Sequence, residues 1–325
     1  MKYIYSIITV LLFVACGGSK EPQAISYPSW YLNPPQNSGT SLYGVGDGRD
    51  INSAKTSALN AIAASLSTTV SSEFKKSESS KSFNGNENAY HSALNTIKAQ
   101  VKEIEFNDYQ IIQNQVVPGK ALVLVEVSRA KLFQKQKEKL DRFSTELKTE
   151  QKNISRQASL QKAFLYSEQI TKAQKLKSMA LLSKTINSNF NTDTYLKQAS
   201  NIKQAHSDTL NTTKVFISAN KEAKLFIDVL KEGLNKAGIK TVSSRANANI
   251  HIKNRFQLDE IYGFKIAKAT LSFSTKDTRQ KTIATRSMNL SGKSRYDYEK
   301  AKANAAHALG KKINEEGIYS LLGIK

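Results

Sequence analysis

The chain has 325 residues, of which 39% are hydrophobic and 23% charged, with a formal net charge of +21. Length and apolar content exclude a wholly disordered chain and suffice for two or three domains, and a single cysteine excludes any internal disulfide. Only nine of the 48 basic residues are arginine; a lysine excess is a set of hydrated point charges, unlike the planar forks that read phosphates and bases, and it favours a solvated surface over a nucleic-acid site.

Lys2 and the apolar run over residues 4–15 read as an export signal, too short for a membrane span of roughly 20 apolar residues. Phe13-Val14-Ala15-Cys16 resembles a bacterial lipobox, with Phe13 where Leu is preferred. The resemblance implies cleavage between Ala15 and Cys16 and a palmitate-type diacylglyceryl anchor on the Cys16 sulfur. Residues 1–15 are then the signal peptide and 16–29 a lipidated tether, polar with Pro22 and Pro28, that reaches about 20 Å. An ordinary secretory signal ending near Ala15 is the open alternative. Two or three acyl chains, at about 0.8 kcal/mol per buried methylene, make attachment effectively permanent. By resemblance to lipoprotein sorting, Gly17 in place of Asp after the cysteine implies the outer membrane, facing the periplasm. Export in turn argues against nucleic acid as a partner.

All five prolines lie at or before Pro118, and residues 120–232 contain neither proline nor glycine. A turn-rich first third, a long uninterrupted middle and a glycine-punctuated last third follow. After an extended Pro28-Ser29-Trp30-Tyr31, residues 42–48 predict a short strand running into a turn, with Gly44, Gly46 and Gly48 making that tight strand-to-helix turn. Asp50 or Ser53 can cap a helix carrying Ala54, Ala58, Ile62, Leu66, Val70 and Phe74. Tyr90, Leu94, Ile97 and Val101 predict a second helix, and residues 105–116 and 121–128 two strands joined at Pro118-Gly119. Residues 130–209 read as helix with one turn at 187–193, a hairpin by default. The last third predicts a strand at 214–218, a helix at 222–236, and strands at 250–258, 267–273 and 282–290. A helix from Asp297 to Glu315, ended by Gly317, closes the chain. On strand 250–258, Ile250, Ile252, Phe256 and Leu258 share the inner face. The predicted class is α+β: two small α/β sandwich domains with antiparallel sheets, at 30–129 and 211–325, joined by a helical segment at 130–210.

With Pro28-Ser29-Trp30-Tyr31, Asn33-Pro34-Pro35, Tyr43-Gly44-Val45-Gly46 and the helix bearing Ala54, Ala58 and Leu66 in order, residues 30–128 resemble the LPP20 family of bacterial lipoproteins. The last third is more distantly similar to small periplasmic α/β domains such as the amino-terminal domain of TolB. The LPP20 resemblance implies an outer-membrane lipoprotein without known catalysis, some of whose relatives serve flagellar or surface structures. The residues agree. His91, His206, His251 and His307 are too dispersed for a zinc site, and each reads as a surface residue. No phosphate loop, serine elbow or Ser-x-x-Lys set is present. No catalytic residue, metal or cofactor is expected, so the chain reads as a non-enzyme. Trp30 and Tyr31 are the candidate interaction surface, against the plainer reading of an aromatic that closes a core. The expected role is tethering or assembly, with the membrane and with other envelope proteins, itself, peptidoglycan or anionic lipid as partners. The alternatives are an outer-membrane-anchored regulator of a cell-wall synthetic enzyme and, behind it, a periplasmic hydrolase.

Overall fold

In a computed structural model, residues 26–77 and 87–325 are described; Cys16 and Ala15 lie outside them. By contacts the described residues form two compact units, one of residues 26–65 and 105–129, the other of residues 66–77, 87–104 and 130–325. Among the described residues no helix is long and apolar enough to cross a membrane.

The first unit begins with a single helical turn, α1 (Ser29–Leu32), and strand β1 (Ser41–Gly48), followed by helix α2 (Ile51–Ser77), whose later residues belong to the second unit. Asp50 caps α2: its Oδ1 accepts from the Ser53 backbone N–H at 2.8 Å. Strands β2 (Tyr109–Val117) and β3 (Lys120–Ser128) form a hairpin through Pro118 and Gly119, and β1 pairs antiparallel with β3, giving the order β1-β3-β2. The left-handed φ of +84° at Gly119 is what this two-residue turn requires. The segment 105–108 stays outside the ladder, so β2 starts later than its sequence suggests.

The three glycines of β1 do not make a turn, contrary to expectation. A Cβ on Gly44 would meet the Ala58 carbonyl oxygen at 2.3 Å, and one on Gly46 the Ala58 nitrogen at 2.2 Å and the Ala54 oxygen at 2.3 Å. Being two residues apart they share one face of the strand, and their missing side chains let α2 rest directly on the backbone of β1. Ala54 and Ala58, fully buried, are the matching small residues on the helix.

In the second unit, helix α3 (Glu87–Lys102) and the helices α4 (Arg129–Ser155), α5 (Ser159–Ile186) and α6 (Asp193–Thr212) precede the second sheet. The middle is therefore three helices rather than two. The unforeseen break at 156–158 contains no proline or glycine; Ile154 and Leu160 are both buried on either side of it, so packing turns the chain where no breaker residue does. The helices fold back on one another. Leu140 and Leu147 of α4 share a core with Ala173, Leu176 and Ala180 of α5 and Ala199 and Ile202 of α6. Polar links reinforce it: Ser144 Oγ donates to Gln198 Oε1 at 2.5 Å, and Gln198 Nε2 donates back to the Ser144 carbonyl at 2.9 Å.

The remaining elements are β4 (Lys214–Ala219), a 3-10 turn (Lys221–Phe226), α7 (Ile227–Lys236), β5 (Lys240–Thr241), β6 (Ala248–Ile261), β7 (Phe264–Asp277), β8 (Thr282–Ser294), α8 (Tyr298–Glu316) and α9 (Ile318–Leu321). Sheet order is β5-β4-β6-β7-β8, antiparallel across β6, β7 and β8. The expectation of a wholly antiparallel sheet needs correction, because β4 pairs parallel with both β5 and β6. The connection through the 3-10 turn and α7 is a crossover, which returns the chain in the same direction. Gly238 takes φ +76° after α7, as a left-handed helix end requires.

The core lies between the sheet and its helices, with Phe226, Leu230, Ile250, Ile252, Leu271, Leu309 and Leu321 fully buried. Leu160 of α5 belongs to the same core, and the Phe164 and Tyr319 rings pack at 5.4 Å, so the helical middle joins the last sheet. Leu258 departs from the expected inner face. β4 pairs with β6 only as far as Ile252; beyond it β6 is an edge, and Leu258 is 43% exposed. Gly292 repeats the device of β1: a Cβ there would meet the Ala301 oxygen at 2.0 Å and the Ala305 nitrogen at 2.3 Å.

Candidate interaction surface

Trp30 and Tyr31 stand on α1, in the first unit. Tyr31 Oη donates to Asp47 Oδ1 at 3.1 Å, and Lys120 Nζ pairs with Asp47 Oδ2 at 3.1 Å. Asp47 projects from β1 on the face opposite Gly46 and Gly48, so α1 lies across the sheet from α2 and touches β3 there. The Tyr27 ring stacks on Tyr31 at 5.6 Å, Trp30 meets Tyr31 edge-on at 6.1 Å, and the Lys120 ammonium sits 5.1 Å over Tyr27. Aromatic packing and a cation over the ring hold the segment in place. Hydrogen bonds from Lys120 and then Tyr31 keep the Asp47 carboxyl below its usual range, while burial and then the Asp47 contact push the Tyr31 hydroxyl up. Trp30 and Tyr31 are half-buried and Leu32 is exposed. The cluster is a clasp that fixes where the chain enters the fold, with one apolar edge left in water.

In the second unit the face of the large sheet that points away from the core is open. A depression of about 640 Å³ is lined by Phe216, Ser218, His251, Lys253, Ser272 and Ser287, among others. Ser218 Oγ and His251 Nδ1 are 2.9 Å apart on neighbouring strands. A serine–histidine contact is one link of a nucleophile relay, which also needs a group that orients the imidazole and donors for an oxyanion. Among the described residues no carboxylate is hydrogen-bonded to His251, and no three His, Cys, Asp or Glu side chains come together as a metal site. The row instead offers hydroxyl, imidazole and ammonium groups to a polar ligand.

His206 and His251 are half-buried, against the expectation that every histidine lies at the surface; His91 and His307 are exposed. Burial lowers the His206 pKa. Asp259 and Glu260 are strand-end carboxylates in ion pairs with Lys268 and Lys265. The strand that sequence reasoning missed as a surface is β2, exposed at every position from Gln110 to Val116; its lack of charge was the available signal.

No curated protein matches the chain. Among solved structures, the secreted protein HP1454 from Helicobacter pylori is similar at 14% identity and a TM-score of 0.45, covering 87% of this chain and 98% of that one. A minor lipoprotein from Acinetobacter baumannii is similar at 15% identity and TM-score 0.28, over 35% of this chain and 96% of that one. Lipoprotein GNA1162 from Neisseria meningitidis gives 10% identity and TM-score 0.23, over 32% and 99%. The resemblance carried by the first third of the chain is shown: residues 28–128 match the LPP20 lipoprotein family.

Proposed function

We propose that the chain is an envelope lipoprotein anchored through Cys16 in the outer membrane, on the periplasmic side, with a non-enzymatic tethering or assembly role. One observation carries this reading. The LPP20 lipoprotein match begins at residue 28, directly behind the lipobox-like Cys16 and its short polar tether. A lipid at one end and folded surfaces at the other raise the local concentration of partners without needing a deep pocket. The alternative of a regulator reaching from the membrane to a cell-wall enzyme drew on long helices serving as a stalk; α4, α5 and α6 instead pack on one another.

The test is membrane fractionation combined with cross-linking in intact cells. The wild-type chain is expected to sediment with outer-membrane markers and to cross-link to envelope proteins or to itself, whereas a Cys16→Ser chain is expected in the soluble periplasmic fraction. Equal sedimentation of both chains would overturn the lipid anchor, and recovery of inner-membrane synthetic enzymes as the main cross-linked species would favour the regulator.

A further inference from the structure

We propose that the outer edge of β2 is a docking strand for a second copy of this chain, joining two first units into one continuous antiparallel sheet. This deepens the assembly reading above by naming its surface and its partner.

Among the described residues the two sheets end in four strands, β1, β2, β5 and β8; the stretch of β6 past Ile252 is a further edge, where Lys253, Arg255, Asp259 and Glu260 bring charge and the Asn220 and Glu222 side chains accept from the Asn254 and Phe256 N–H groups. An edge strand offers a row of unpaired N–H and C=O groups, and proteins guard such rows with charges, short length or a covering segment. Three of the four end strands are guarded. The segment before β1 folds along it, with Ser38 N–H donating to the Ser41 carbonyl and Asn37 Oδ1 accepting from Tyr43 N–H. β5 has only two residues. β8 carries Arg286 and Lys293, and Arg286 donates to the Ser320 carbonyl.

Among the described residues β2 has none of these three guards. Its nine residues, Tyr-Gln-Ile-Ile-Gln-Asn-Gln-Val-Val, hold no charge and no proline, in a chain where 23% of residues are charged. Ile111 is 38% exposed, Ile112 41% and Val116 73%. Val117 and Lys120 close the hairpin turn as a hydrogen-bonded pair, so Asn114 and Val116 point their backbone groups away from β3. Within β2 the single irregularity of register falls between Ile111 and Gln113.

The occupant follows from charge. A net charge of +21 makes the chain repel its own kind; β2 brings no charged side chain of its own to a meeting of two copies. Apolar and amide side chains also suit themselves across an antiparallel pair. Pairing β2 with β2 about a two-fold axis uses up both open edges, so the assembly closes as a dimer and does not grow into a filament. Chains held in one leaflet share a thin layer, where tethering brings effective concentrations toward the millimolar range.

The test uses the full Cys16→Ser chain, so that its outcome does not depend on the lipid. Sedimentation velocity between about 1 and about 100 μM is expected to show the mass doubling with concentration. Ile112→Lys with Val116→Lys is expected to leave a monomer throughout, with the unfolding midpoint reported by Trp30 fluorescence unchanged. Ser287→Lys, on the already charged β8 edge, is expected to dimerise as the Cys16→Ser parent does. A parent chain that stays monomeric at the highest concentration overturns the proposal, whatever other strand binds there. So does a dimer that survives both β2 lysines, or one that Ser287→Lys splits equally well.

Discussion

Gly46→Ala is the sharpest test of how the first unit is built. The added Cβ would lie 2.2 Å from the Ala58 nitrogen and 2.3 Å from the Ala54 oxygen, both backbone atoms that no rotamer change can move. Ordinary contact needs about 3.5 Å, so α2 must lift off β1 by roughly 1 Å along its buried face. A gap of that size forfeits a quarter to a half of each dispersion contact it opens. Ala54, Ala58 and Ile62, each at most 1% exposed, lose them together. Overpacking costs typically 1–3 kcal/mol, and a backbone clash belongs at the top of that range, so we expect about 3 kcal/mol. The assay is urea unfolding followed by Trp30, the single tryptophan of the chain, which lies in the same unit. Gly39→Ala is the control, since a Cβ there meets nothing within 4 Å, and it is expected to change stability by less than about 0.5 kcal/mol. A Gly46→Ala chain as stable as that control would refute direct helix-on-strand packing.

Gly292→Ala, with a Cβ 2.0 Å from the Ala301 oxygen, is expected to destabilise the second unit by a comparable amount, seen in far-UV circular dichroism and not by Trp30. Ser144→Ala removes the donor to Gln198 Oε1 and leaves a buried acceptor unpaired, an expected loss of about 1–3 kcal/mol, measured by urea unfolding against Thr145→Ala on the exposed face. The lowered pKa of His206 means the unfolded chain takes up its proton first. Its contribution is therefore fully present above the unfolded value of about 6.5 and is lost as pH falls through the lower folded value. Melting temperatures between about pH 5 and 7 are expected to fall less steeply in His206→Gln than in the wild-type chain, and identical slopes would contradict this. Asp47→Ala is expected to red-shift and broaden Trp30 emission, because it removes the common partner of Tyr31 and Lys120; an unchanged spectrum would mean the clasp does not hold α1.

Periodicity made most of this fold legible. The spacing of Ala54, Ala58, Ile62, Leu66, Val70 and Phe74 predicts α2, and all six are buried; alternation predicts the inner faces of β6 and β7 as far as Phe256 and Phe273. What stayed hidden depends on neighbours distant in sequence. Gly44, Gly46 and Gly48 look like a turn until Ala54 and Ala58 are placed against them. The break after Ser155 has no breaker residue because tertiary burial of Leu160 makes it. The parallel pairing of β4 is a property of the crossover, not of the strand, and Leu258 is exposed because β4 stops short of it. Asn254, in line with Ile250 and Ile252, is buried because its backbone and that of β6 are knit to Asn220, which no periodicity shows. The clasp was half legible: Trp30 and Tyr31 stood out by composition, whereas Asp47 and Lys120 needed the register of β1 and β3 to be brought beside them.

The proposed anchor is a lipid on Cys16 that holds this body at a membrane. Mass spectrometry of the mature amino terminus from the membrane fraction tests it most directly. A terminal peptide that begins at Cys16 and carries the mass of a diacylglyceryl group on sulfur is the predicted result; a terminus elsewhere, or a Cys16 with a free thiol, would contradict it.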